Sequence, residues 1–310
     1  SLDDRRAHVG YGDLADAVAN MYPPVIQGYA RGVAADEAGN RYVTGFFYGA
    51  VDFNPSPGLD AKLSAGVEDC YVTCFDASGR YRWTQTFGGS GSDYGYAIAA
   101  GGGRVYVTGE FWSTDAGVGG PGSVRSAGAS DAFVLALRAS DGAPVTTFGS
   151  GGVQTFGGSA KECGYGIAVA GGKVYVTGEL YSTNAGVGGP GGVSRAGTIG
   201  CDAFVLVLNS DTGHPETGFS GDGVQTFGGG NFDHGRAIAV AGNTLYVAGN
   251  FYSANAGIGG VGSVASAGGS DGFVAALDAA TGSARTSFSG DGVQTFGGSG
   301  TDKAYAVAVC

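Results

Sequence analysis

The sequence predicts an all-β fold, a β-propeller of four-stranded antiparallel blades with about 70 residues per repeat. Four observations carry that expectation. Thr-Phe-Gly-Gly begins at Thr86, Thr155, Thr226 and Thr295, at spacings of 69, 71 and 69 residues, and so regular a period marks an array of one structural unit. Between those marks Val-Tyr-Val-Thr-Gly starts at Val105 and Val174 and returns as Leu245-Tyr246-Val247-Ala248-Gly249. Asp131-Ala132-Phe133-Val134 is likewise repeated at Asp202 and, with Gly for Ala, at Asp271. Each unit also holds four short apolar or alternating segments separated by Gly, Asn, Asp and Ser, the pattern of antiparallel strands and turns.

These segments, A to D in chain order, fall near 164–170, 173–179, 202–208 and 223–227 in the third repeat. Tight Ala-Gly-Gly and Ala-Gly-Asn hairpins join A to B, and a Ser-Asp-Thr-Gly turn at 210–213 joins C to D. Segment C is apolar on both sides: Phe204, Leu206 and Leu208 point one way, Val205 and Val207 the other. A strand with two dry faces must be sandwiched, and four-stranded sheets stacked face to face on their own copies are propeller blades. Full sets occupy about 24–89, 92–158, 162–229 and 233–298, and an extra strand at 303–309 follows. Residues 1–23 read as a linker, a closing strand or a short helix. Four sets and one strand close no ordinary ring, so the chain reads as part of a larger propeller, or as a four-bladed ring whose extra strand pairs in trans.

Composition narrows the function classes. Gly supplies 64 of 310 residues without a Gly-X-Y period, and apolar residues reach 43%, which describes a folded, turn-rich chain. The formal net charge is -11 with 16 Lys and Arg and no basic cluster, which argues against nucleic acid and anionic membrane as partners. No apolar run approaches the roughly 18–20 residues that span a bilayer, so no membrane insertion is expected. Ser1-Leu2-Asp3-Asp4-Arg5-Arg6 lacks the apolar core of a signal peptide, which implies a removed leader or a start inside a longer protein.

The stretch from Thr286 to Val309, with Ser-Phe-Ser-Gly-Asp-Gly-Val-Gln-Thr-Phe-Gly-Gly leading into Asp302-Lys303-Ala304-Tyr305, resembles the delta-60 repeat of bacterial surface proteins. Val-Tyr-Val-Thr-Gly followed by Asp-Ala-Phe-Val resembles the related seven-bladed β-propeller repeat family. The first repeat is a third variant, with Val51-Asp52-Phe53-Asn54-Pro55-Ser56-Pro57-Gly58 before segment C and Trp83 in segment D. The likeness covers residues 24–309. It implies a propeller from a large secreted or cell-surface bacterial protein, an extracellular setting, and no catalytic residues to carry over.

In an antiparallel blade the D-to-A and B-to-C connections share one end, and here the B-to-C loops run about 17–24 residues. Rings follow segment B at that end, in Phe111-Trp112, Leu180-Tyr181 and Phe251-Tyr252. Trp112, Tyr181 and Tyr252 are therefore candidates for stacking on a glycan, or for packing between blades or under the loops. Carboxylates gather there too: Asp93, Glu162, Asp233 and Asp302 just before segment A, with Gly28 breaking the series, and Asp69, Asp131, Asp202 and Asp271 at segment C. They can fix loops by accepting N–H bonds, or join loop carbonyls in an oxygen cage for Ca²⁺. Cys163 and Cys201 both lie at that end and are candidates for a disulfide. Cys70 and Cys74, four apart on one strand, read as buried thiols, and Cys310 has no visible partner.

Enzymatic chemistry finds little support. His8, His214 and His234 occupy non-equivalent repeat positions, and no Gly-x-Ser-x-Gly elbow accompanies them. Ala276-Leu277-Asp278-Ala279-Ala280-Thr281-Gly282 is similar to a quinoprotein dehydrogenase phrase, but Ser283 and Thr286 replace its Lys and Trp. The expected function is a non-catalytic binding or scaffolding module, without a cofactor, that takes a glycan or protein ligand on the long-loop face. The alternatives are a glycosidase or polysaccharide lyase using the acidic residues, and a self-assembling protein pairing through its terminal strand.

Overall fold

A computed structural model describes residues 28–54 and 57–309, and these form an all-β structure. The first sheet contains β1 (Gly28–Ala35) and β2 (Arg41–Phe47) and then, after a ribbon of β3 (Ala50–Asp52) and β4 (Ala61–Leu63), β5 (Asp69–Phe75) and β6 (Tyr81–Gly88). The second begins with β7 (Asp93–Gly101) and β8 (Arg104–Phe111); β9 (Gly117–Val118) leaves it to pair with β6, and β10 (Asp131–Arg138) and β11 (Val153–Gly157) complete it. The third repeats this with β12 (Glu162–Ala170), β13 (Lys173–Leu180), β14 (Gly186–Val187), β15 (Asp202–Asn209) and β16 (Val224–Gly228). The fourth consists of β17 (Asp233–Ala241), β18 (Thr244–Phe251), β20 (Asp271–Asp278) and β21 (Val293–Phe296), with β19 (Gly257–Ile258) paired back on β16. Every neighbour pairs antiparallel, so each sheet is an up-and-down meander in the expected A-to-D order.

The apolar cores lie between successive sheets. Phe204, Leu206 and Leu208 of β15 enter the core shared with the second sheet, whereas Val205 and Val207 enter the core shared with the fourth. Strand β10 divides in the same way between Phe133, Leu135 and Leu137 and Ala132, Val134 and Ala136. The Phe of each Thr-Phe-Gly-Gly meets the Phe of the next sheet's third strand: Phe87 and Phe133 lie 4.6 Å apart between ring centroids, Phe156 and Phe204 4.8 Å, Phe227 and Phe273 4.3 Å. Burying each such ring contributes about 1.5–3 kcal/mol, which is why this Phe recurs at the repeat period.

The first strands adjoin one another in succession, β1 to β7, β7 to β12 and β12 to β17. All four, together with Tyr305, border one open depression of about 250 Å³. Small residues permit the approach, since a Cβ at Gly166 would sit 3.0 Å from Ala237 Cα.

Residues 303–309 carry no strand: Thr301 bridges Ser270, and the Ala304 N–H donates to the Gly249 carbonyl at 3.3 Å. In the other sheets the equivalent strand is held by a second strand along its length, and 303–309 has no such partner among the described residues. The segment at 1–23 and Cys310 lie outside the described residues. No helix among the described residues is long and apolar enough to cross a membrane.

Candidate functional site

The strand-end acids at β7, β12 and β17 organise loops. Asp93 accepts from the Gly89 N–H at 2.8 Å, the Trp112 N–H at 3.2 Å and the Ser113 hydroxyl at 2.6 Å. Glu162 makes the equivalent bonds to the N–H groups of Gly158, Tyr181 and Ser182, and Asp233 to those of Gly229, Tyr252 and Ser253. Each acid thus ties the Gly-Gly turn before its strand to the start of the long loop twenty residues later. Asp302 keeps only the first part of this pattern, accepting from the Gly298 N–H at 3.0 Å.

The acids that open the third strands behave differently. Asp69, Asp131, Asp202 and Asp271 each accept one N–H bond through Oδ2, from Ala65, Ala127, Ala196 and Ala267, and each leaves a buried Oδ1 without a partner. Burial, reinforced by the neighbouring Asp93 and Glu162, raises the pKa of Asp69 and Asp131 to about 6, and burial next to Asp233 raises Asp202 to about 7. The close carboxyl pairs therefore form between sheets, not within one. The first Gly of Thr-Phe-Gly-Gly is where they converge: a Cβ at Gly88 would collide with the Asp69 carboxyl and come within 2.9 Å of Asp93 Oδ2. Gly157, Gly228 and Gly297 abut Asp131, Asp202 and Asp271 in the same way.

The long loops are partly structural. Gly117-Val118 continues the preceding sheet as a fifth strand, with Gly117 opposite Gly88 and Val118 opposite Phe87, and Gly186-Val187 and Gly257-Ile258 repeat this. Their Ala116, Ala185 and Ala256 are fully buried. Among the three candidate rings, Trp112 is 46% exposed, whereas Tyr181 and Tyr252 are half-buried beside Phe232 and His234.

Cys163 and Cys201 are not bridged; both are buried free thiols, as are Cys70 and Cys74. The proposed disulfide fails because the Cys201 thiol turns to the fourth sheet, donating to the Asp233 carbonyl at 3.6 Å. Cys163, by contrast, lies on the β12 edge, beside Glu110 of the second sheet.

No protein-family model matches this chain, and no curated protein matches it significantly.

The geometry reveals a polar strip that the repeat phrases did not announce. The residue after Val-Tyr-Val-Thr-Gly is Glu110, then Glu179, then Asn250, facing the first strands. Glu110 accepts from Tyr96 at 2.8 Å and Ser130 at 3.1 Å. Lys161 bridges it to Glu179, at 3.5 and 3.1 Å. Glu179 also accepts from Tyr165 at 2.7 Å and lies 2.9 Å from His234 Nδ1. Burial alone would raise its pKa, but His234, Lys161 and Tyr165 outweigh burial and hold it at about 2. A charged residue next to the end of an otherwise apolar strand is the signal the sequence carries for this strip.

Beside the strip, between the first and second sheets, opens a cleft of about 620 Å³. Trp112, Tyr94, Tyr96 and Phe46 supply its aromatic surface, and Glu68, Glu110 and Arg31 its charges. Phe46 meets Tyr94 edge-on at 4.8 Å, and Tyr94 stacks on Tyr96 at 6.1 Å.

Proposed function

We propose that this chain is a β-propeller-type module of a secreted or cell-surface protein, its four sheets acting as blades, that binds a glycan without transforming it. The observation that carries the reading is the exposed Trp112 ring beside a cleft with carboxylates on its wall. Aromatic faces stack on the C–H faces of sugars, while the partly exposed Glu68 offers an acceptor to hydroxyl groups. Sheet-between-sheet cores and the succession of first strands against one another support the blade arrangement.

The test is a glycan panel followed by calorimetry on Trp112→Ala. The variant should fold normally, because the ring is half exposed, and should bind the selected glycan at least about tenfold more weakly. No glycan binding by the wild type, or equal binding by the variant, would overturn the assignment. Cleavage of the bound glycan would replace it with a glycosidase or lyase using Glu68 and Glu110.

A further inference from the structure

Corresponding positions at the sheet junctions carry different chemistry. At the first junction they are Phe46, Glu68 and Tyr94; at the second, Glu110, Ser130 and Cys163; at the third, Glu179, Cys201 and His234. Only the third set supplies a carboxylate, a thiol and an imidazole together. Their ligand atoms all lie within 4.8 Å of one another, and no other such trio occurs among the described residues.

We propose that Glu179, Cys201 and His234 form a three-ligand site for Zn²⁺ at the junction of the third and fourth sheets. Bond lengths of about 2.3 Å to sulfur and about 2.0–2.1 Å to nitrogen put the two atoms roughly 3.6 Å apart around a tetrahedral ion. Cys201 Sγ and His234 Nδ1 are 3.6 Å apart. The sulfur, nitrogen and oxygen donor set suits a borderline-soft divalent ion and not Ca²⁺. Glu179 is prepared for a monodentate role: Tyr165 and Lys161 occupy Oε1, and Oε2 turns to His234. Such outer contacts orient metal-binding carboxylates. Phe232 lies parallel to the imidazole at 6.5 Å and Tyr252 meets it edge-on at 6.4 Å, so the ring sits among aromatic neighbours.

Binding is balanced in protons and charge. The Cys201 thiol releases its proton to solvent, and the hydrogen on His234 Nδ1 moves to Nε2 so that Nδ1 can coordinate. One thiolate and one carboxylate then neutralise the ion. Three protein ligands leave a fourth position for water, and His234, whose side chain is 12% exposed, marks the route of entry.

The experiment is titration of the chelator-treated chain with Zn²⁺, read by native mass spectrometry, and with Co²⁺, read by absorption. One ion should bind per chain, and Co²⁺ should give a thiolate-to-metal charge-transfer band. Cys201→Ser should abolish the band and weaken Zn²⁺ by about 100-fold or more. That variant should fold, because Ser130 and Ser270 occupy the same position in the neighbouring sheets. His234→Ala should weaken binding comparably, whereas Cys163→Ser and Trp112→Ala should leave it intact. Absence of the band, or Zn²⁺ binding that Cys201→Ser and His234→Ala leave unchanged, would overturn the site. The glycan reading would stand in either case.

Discussion

Replacing Gly178 with Ala should unfold the protein or cost more than about 4 kcal/mol of stability, the range reserved for severe steric conflict. Gly178 ends the second Val-Tyr-Val-Thr-Gly phrase and pairs with Gly164, where β12 bulges before Gly166. The bulge turns the Cys163 carbonyl inward, so an added Cβ would overlap that oxygen and press the Phe204 ring edge at 2.9 Å. Relief requires moving two hydrogen-bonded strands, because the obstacle is backbone. Gly45 and Gly109 meet the carbonyls of Tyr29 and Tyr94 identically. The control is Gly192→Ala, whose Cβ would enter open space and which should stay within about 0.5 kcal/mol of wild type. Urea denaturation of the two variants decides the matter. A Gly178→Ala midpoint equal to that of Gly192→Ala would mean that the bulge yields freely.

Asp69→Asn should stabilise the chain at pH 7 by about 1–3 kcal/mol and have little effect at pH 4. The folded-state pKa of Asp69 is raised by burial to about 6, above the ordinary 3.8. The folded chain therefore holds a proton that the unfolded chain has lost between those values, and stability falls as pH rises through that window. The contribution is fully present below about 3.8 and gone above about 6, and a 2.2-unit shift bounds it near 3 kcal/mol. Asn keeps the shape of the protonated acid and supplies a donor where Oδ1 now has no partner. Asp131→Asn should behave alike, since Asp131 is raised to about 6 at the next junction. Glu179 acts oppositely: held at about 2, it stabilises above about 4.5 and loses that contribution as pH falls. Comparison of variant with wild type at each pH cancels this term. Equal destabilisation by Asp69→Asn at pH 4 and 7 would sink the argument. Stabilisation of the wild type by Ca²⁺ that the variant lacks would mean that a cation, not a proton, neutralises the pair.

Much of the fold is legible in the chain because each repeat phrase is a solution to one packing problem. The unbroken apolar run in Asp-Ala-Phe-Val-Leu announces two dry faces, and those faces enter two different cores. The Phe of Thr-Phe-Gly-Gly recurs because it fills the gap between sheets, and the Gly after it because a carboxyl already occupies that space. The acids at β7, β12 and β17 are identifiable as loop organisers from their place before an apolar run. The division among Trp112, Tyr181 and Tyr252 is not legible, since one pattern yields one exposed ring and two half-buried ones. What separates them is the fourth sheet's contribution, Phe232 covering Tyr181 across the junction and His234 covering Tyr252 within its own sheet.

The sequence by itself determined the repeat, the four-strand order and the strands with two buried faces, because these follow from local periodicity and turn chemistry. Tertiary structure decided which carboxyls meet across sheets, that Cys163 and Cys201 remain apart, that residues 303–309 form no strand, and that Glu179, Cys201 and His234 converge. The reason is physical. Those relations join residues from different strands or different sheets, and their separation depends on how the sheets stack, which no single repeat encodes.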